Sequence, residues 1–274
     1  MIVTVLVLQA FLLYYATNYM ENQEIAWLLQ EKYNGVKTVS FEADCSRLAA
    51  GEPLGYLIGH VPFLNCTIHL DSHPLIPRVE TEFWVEKAII ASKTHLKNQR
   101  GPTPLILDLC SGSGAIGVAV AKGVPEALVT FTELDPLHLP TIEKNLSENI
   151  PEWSNRSNHY CITASDLFEQ ITEEFDFILT NPPYIDAAAG TVDMNVTTYE
   201  PHLALFGGDN GMDIITRIIA EAPQHLTPAG QLWIEHEPAQ VEAITALALN
   251  HGFTIVTHPD QYDIPRFSVL TMAQ

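Results

Sequence analysis

Apolar residues follow two rhythms along this chain. From Glu24 to Tyr33, and again from Phe41 to Ala50, they recur at helical spacing. This predicts two short amphipathic helices around a turn at Asn34-Gly35. Glu82 to Leu96 predicts a further helix, and Lys97 to Pro102 a polar loop. Beyond it, short unbroken apolar runs alternate with helical stretches. Pro104 to Leu109, Ala127 to Thr132 and Phe175 to Thr180 read as buried strands, with another strand before Asp166. Ala115 to Ala121 reads as a helix. Such alternation predicts an α/β fold with a doubly wound, mostly parallel sheet. The expected organisation is a short helical N-terminal region (1–50), a connecting segment with a β-hairpin (51–82) and the α/β domain (83–274). Ile185 to Tyr199 is weakly periodic and predicts a mobile loop.

The run from Ile2 to Tyr15 is mostly apolar but short for a bilayer span, and it has neither a basic flank nor a cleavage site. Its polar residues form no helical face, whereas Met20 is followed by Glu21 and Glu24, which suit a first helical turn. Residues 1–19 are therefore expected to be dispensable, and no membrane association is expected. The 47% apolar content suffices for a core of one large or two small domains. Thirteen basic against 33 acidic residues give a formal charge of −20, which argues against stable nucleic-acid binding. It suits a basic protein partner, or serves solubility alone. The four cysteines form no C-x-x-C pair, a reduced, cytoplasmic pattern. The eleven histidines show no metal-ligand spacing, so no metal site is expected.

Candidate chemistry gathers at strand ends. Cys110-Ser111-Gly112-Ser113-Gly114 is a small-residue turn between a strand and a helix, where backbone can approach a ligand. Glu133 ends the next strand and is placed to accept from both hydroxyls of a ribose. Asp166 ends the one after, where it can accept from an adenine amino group, with Leu167 and Phe168 beside the ring. Asn181-Pro182-Pro183-Tyr184 must leave the sheet, because proline donates no ladder hydrogen bond. An amide side chain, free carbonyls and an aromatic ring there can hold a planar –NH2 group.

Strand, glycine turn, helix, strand, carboxylate and then Asn-Pro-Pro-Tyr resembles the class I S-adenosylmethionine-dependent methyltransferases. The flanks narrow the resemblance. Gly51 to Gly59, Phe63, Leu75 to Glu82, Glu200 to Gly211, Leu226 to Gly230, Gln240 and Pro265-Arg266 are similar to segments of the HemK/PrmC family, over about residues 24 to 272. Those are release-factor glutamine N5-methyltransferases. The resemblance implies a seven-stranded sheet whose last strand, Phe267 to Met272, runs antiparallel, with residues 83–274 as the catalytic domain. It implies S-adenosyl-L-methionine as cofactor, class I peptide chain release factors as protein substrate, and a monomer. Asp108, Cys110, Ser111, Gly112, Ser113 and Gly114 would hold its methionine end, Glu133 the ribose, and Asp166 with Leu167 the adenine. Asn181 would border the cofactor and, with Pro182, Pro183 and Tyr184, hold the acceptor glutamine. Three positions depart from the family: Glu133 for a usual Asp, Leu167 for a common aromatic and Cys110 for a frequent Gly. The N-terminal region is also shorter than usual. Two alternatives stay open: an N-methyltransferase of adenine or guanine in nucleic acid, or a non-catalytic cofactor-binding scaffold.

Overall fold

The computed structural model describes residues 22–98, 103–155, 159–190 and 192–273. The expectation for residues 1–19 lies outside them. The chain divides into two compact units, one up to Gly59 with Met194–Tyr199, the other His60–Asp193 with Glu200–Gln274. The hairpin expected in the connecting segment thus belongs to the second unit.

In the first unit, helix α1 (22–31) is followed by a turn in which Asn34 and Gly35 take φ of 50° and 78°. Helix α2 (Val39–Ala49) starts at Thr38, whose hydroxyl accepts from the Phe41 N–H at 3.1 Å. Helix α3 is Leu54–Ile58. Leu28, Phe41 and Leu57 close a small apolar core. Beside it the buried Asp44 accepts from Lys32, Tyr33 and Arg47 at 2.7, 2.7 and 2.8 Å. A buried carboxylate is tolerated there because three donors satisfy it.

The second unit opens with the antiparallel hairpin β1 (His60–Phe63) and β2 (Cys66–His69), then the long helix α4 (Val79–Asn98). Strand β3 (Leu105–Leu109) leads into α5 (Ala115–Gly123), and β4 (Leu128–Glu133) into α6 (Leu139–Asn149). Strands β5 (Tyr160–Ala164) and β6 (Phe175–Thr180) follow. Helix α7 (Met194–Tyr199) groups with the first unit, where the Tyr199 hydroxyl donates to the Ala50 carbonyl. It lies within the stretch expected to be a mobile loop. Its Met-Asn-Val-Thr-Thr-Tyr sequence holds few strong helix formers, so local propensity understates it. Next come α8 (His202–Leu205), α9 (Asp213–Glu221), β7 (Leu226–Glu235), α10 (Val241–Asn250), β8 (Phe253–Pro259) and β9 (Pro265–Met272).

The seven strands run in the order β5-β4-β3-β6-β7-β9-β8, with β9 antiparallel to both neighbours and the rest parallel. Apolar strand runs match a sheet covered on both faces. Ile215, Ile218 and Ile219 of α9 and Ile244 of α10 pack with Leu107, Ile178 and Leu232 of the sheet. Register sets the site. Leu109 lies opposite both Thr132 and Thr180, and Thr180 opposite Ile234. Residues just after β3, β4 and β6 therefore emerge at one edge, where the strand order reverses between β3 and β6. Open α/β sheets bind ligands in that crevice.

Candidate active site

One cavity occupies this edge. Its walls include Cys110, Ser111, Gly112 and Ser113 after β3, Glu133 at the end of β4, Asp166 and Leu167 after β5, and Asn181 and Pro183 after β6. Leu75, Pro77, Leu203 and Phe206 complete it from segments outside the sheet. The Arg78–Glu200 ion pair ties those two segments together, and the buried Glu200 also accepts from the Ile76 N–H at 3.0 Å.

The turn after β3 needs left-handed backbone three times: Cys110, Gly112 and Gly114 have φ of 62°, 55° and 79°. Glycine adopts this freely and cysteine does so at a cost. Glu133 fixes the turn from the side. One oxygen accepts from the Gly112 N–H at 2.7 Å and the other from the Asp135 N–H at 2.9 Å. Each oxygen keeps a lone pair for a further donor. Asp108 and Gly114 are not on the cavity wall. The fully buried Asp108 accepts from the Gly117 N–H at 2.8 Å through one oxygen, while its other oxygen has no hydrogen-bond partner. Burial, and then the Glu133 charge, push its carboxyl up to about 8. Burial also raises the Cys110 thiol, which keeps it protonated.

Asp166 reaches the cavity, and both its oxygens also contact one Arg217 nitrogen at 3.0 and 3.3 Å. Leu167 lines the wall with φ of 49°, and the chain reverses there. Phe168 consequently points into the core and stacks on His225, ring centroids 4.6 Å apart. It is not beside the cavity as the sequence suggested.

Asn181 and Pro183 face the cavity, whereas Pro182 and Tyr184 are not on its wall. Tyr184 packs its ring against the core and donates its hydroxyl to Glu235 at 3.1 Å. Burial, then the Glu235 charge, raise the phenol well above its ordinary value. Glu235, at the end of β7, also accepts from Thr81 and Trp84, each at 2.7 Å. Thr81 in turn accepts from the Asn181 amide nitrogen at 3.2 Å. Sequence reasoning assigned Thr81, Trp84 and Glu235 no role. Glu235 carried the same signal as Glu133, a carboxylate closing an apolar strand. Among the described residues no three His, Cys, Asp or Glu side chains gather as a metal site, and no helix is long and apolar enough to cross a membrane.

Residues 89–199 match the family model of the methyltransferase small domain. Release factor glutamine methyltransferases are the most informative relatives. That of Rhodopirellula baltica is 35% identical over 78% of this chain and 71% of its own. That of Bordetella pertussis is 36% identical over 83% of this chain and 81% of its own. Among solved structures, the N-terminal domain of human METTL16 in complex with SAH has a TM-score of 0.51 at 17% identity, over 76% of both chains. At that identity the likeness shows the fold alone, a class I methyltransferase fold.

Proposed function

The chain belongs to the release factor glutamine methyltransferase family, and on that premise we propose that it methylates the side-chain nitrogen (N5) of the glutamine in the Gly-Gly-Gln motif of class I release factors. The observation that carries this reading is the meeting of the Cys110 turn, Glu133, Asp166 and Asn181 on one cavity. The residues fit S-adenosyl-L-methionine. Glu133 offers two oxygens to a ribose diol, and Leu167 offers an apolar wall to adenine. The cofactor supplies a methyl carbon made electrophilic by its sulfonium.

A glutamine amide nitrogen is a poor nucleophile, because its lone pair is delocalised into the carbonyl. The chain's task is therefore to aim that nitrogen and stabilise the positive charge growing on it. The Asn181 side-chain oxygen, on the cavity wall, would accept one of its protons; the Pro182 carbonyl, expected from the sequence to accept the other, is not on that wall. No strong base is needed, since the proton becomes acidic only as the new bond forms. Tyr184 serves this reading by anchoring the Asn-Pro-Pro-Tyr loop through Glu235 rather than by covering the acceptor.

The test is incubation with S-adenosylmethionine and a class I release factor, followed by mass spectrometry. One added methyl on the Gly-Gly-Gln peptide is expected, and none when that glutamine is alanine. Asn181→Ala should lower the rate on the order of 10²–10³-fold while cofactor binding persists. No methyl on the release factor, or label that survives glutamine replacement, would overturn the reading.

A further inference from the structure

An asparagine side chain can face a pocket in two ways, offering its oxygen or its –NH2 group. Only the first accepts from an acceptor amide. The surroundings of Asn181 decide between them through donor and acceptor arithmetic. The Trp84 indole N–H can only donate. It donates to one oxygen of the fully buried Glu235 at 2.7 Å, and with Glu235 ionised that oxygen can only accept. The Thr81 hydroxyl shares the same oxygen at 2.7 Å. A hydroxyl has a single proton, so Thr81, having donated it to Glu235, can only accept from its other neighbour. That neighbour is Asn181, whose nitrogen lies 3.2 Å from the Thr81 oxygen. The opposite amide orientation would set two acceptors, the Asn181 and Thr81 oxygens, against each other.

We propose that Trp84, Glu235 and Thr81 form a buried hydrogen-bond relay that orients the Asn181 amide, turning its oxygen to the acceptor cavity and so selecting an acceptor that presents –NH2. This rests on the functional reading above, in which Asn181 accepts from the substrate amide. Glu235 is a positioning residue, since it acts on the acceptor through Thr81 and Asn181; Thr81 orients Asn181 and also lines the cavity itself. The second Glu235 oxygen, taken by the Tyr184 hydroxyl at 3.1 Å, ties the far end of the same loop to the same carboxylate. One buried group thus holds both ends of Asn-Pro-Pro-Tyr.

Two measurements test the relay. Neutron diffraction of the wild-type protein should place deuterium on the Asn181 nitrogen facing Thr81, and on the Thr81 hydroxyl facing Glu235. The reverse order would overturn the relay whatever the substrate proves to be. In methyl transfer to a release factor, Thr81→Val keeps the side-chain shape but loses the hydroxyl. It should lower kcat about 10- to 100-fold with little change in KM or cofactor affinity, as expected for a misaimed catalytic group. Thr81→Ser restores the hydroxyl and should remain within about 3-fold of wild type, because the same hydrogen bonds re-form. Wild-type kcat in Thr81→Val, or equal losses in both variants, would overturn the relay. A wild-type protein that leaves the release factor unmethylated would instead sink the functional reading, while the neutron result still decides the orientation.

Discussion

Asp108 shows how one side chain can carry both a cost and a role. Its carboxyl is pushed up to about 8 in the folded protein, chiefly by burial, from an ordinary value of 3.8. Between those values the native state binds a proton that the unfolded chain has released. Its contribution to stability is therefore complete below about 3.8 and is lost as pH rises toward about 8. Asp108→Asn keeps an oxygen for the Gly117 N–H and has no charge to bury. The Tm of the variant relative to wild type should climb steadily from pH 4 to pH 8, a range bounded by those two values. A Tm difference independent of pH would show that Asp108 does not titrate there. At this scale much of the site was legible. Glu133, Asp166 and Asn181 stand at strand ends, and a polar residue closing an apolar run is a local signal. Phe168 and Tyr184 were misread because the turn conformation, not the residue type, decides whether a ring faces the cavity or the core.

Helix α9 joins the core to the site. Ile215, Ile218 and Ile219 face the sheet, while Arg217 reaches out to Asp166. Ile218 is fully buried, so Ile218→Ala should cost about 2–5 kcal/mol through lost burial and the cavity left behind. Urea unfolding should show a lower midpoint with an unchanged slope. A midpoint equal to wild type would mean that α9 does not dock as described. Elements buried on both sides were readable, since their apolar runs need no partner to be recognised. Helix α7 was not, because it is short and its Val and Thr residues disfavour helix.

Over the whole molecule, a net charge of −20 gives a field that a basic partner can follow. If the release factor presents basic surface, kcat/KM should fall severalfold as ionic strength rises from about 0.01 M to about 0.15 M, because the Debye length shrinks from about 30 Å to about 8 Å. The cofactor KM should change less. A kcat/KM independent of salt would assign the charge to solubility alone.

The amino-acid sequence by itself determined the alternation of strands and helices, the small-residue turn after β3 and the polar residues at strand ends. Each of these depends on neighbours within a few positions, so local sterics and periodicity suffice. Tertiary structure decided which of those ends share a cavity, through the strand order that sets β6 beside β3. It alone brought Thr81 to Asn181 and to Glu235, partners 100 and 154 positions away. A hydrogen bond between distant residues leaves no periodic trace in the chain. Its direction follows only from counting the donors and acceptors that folding has enclosed together.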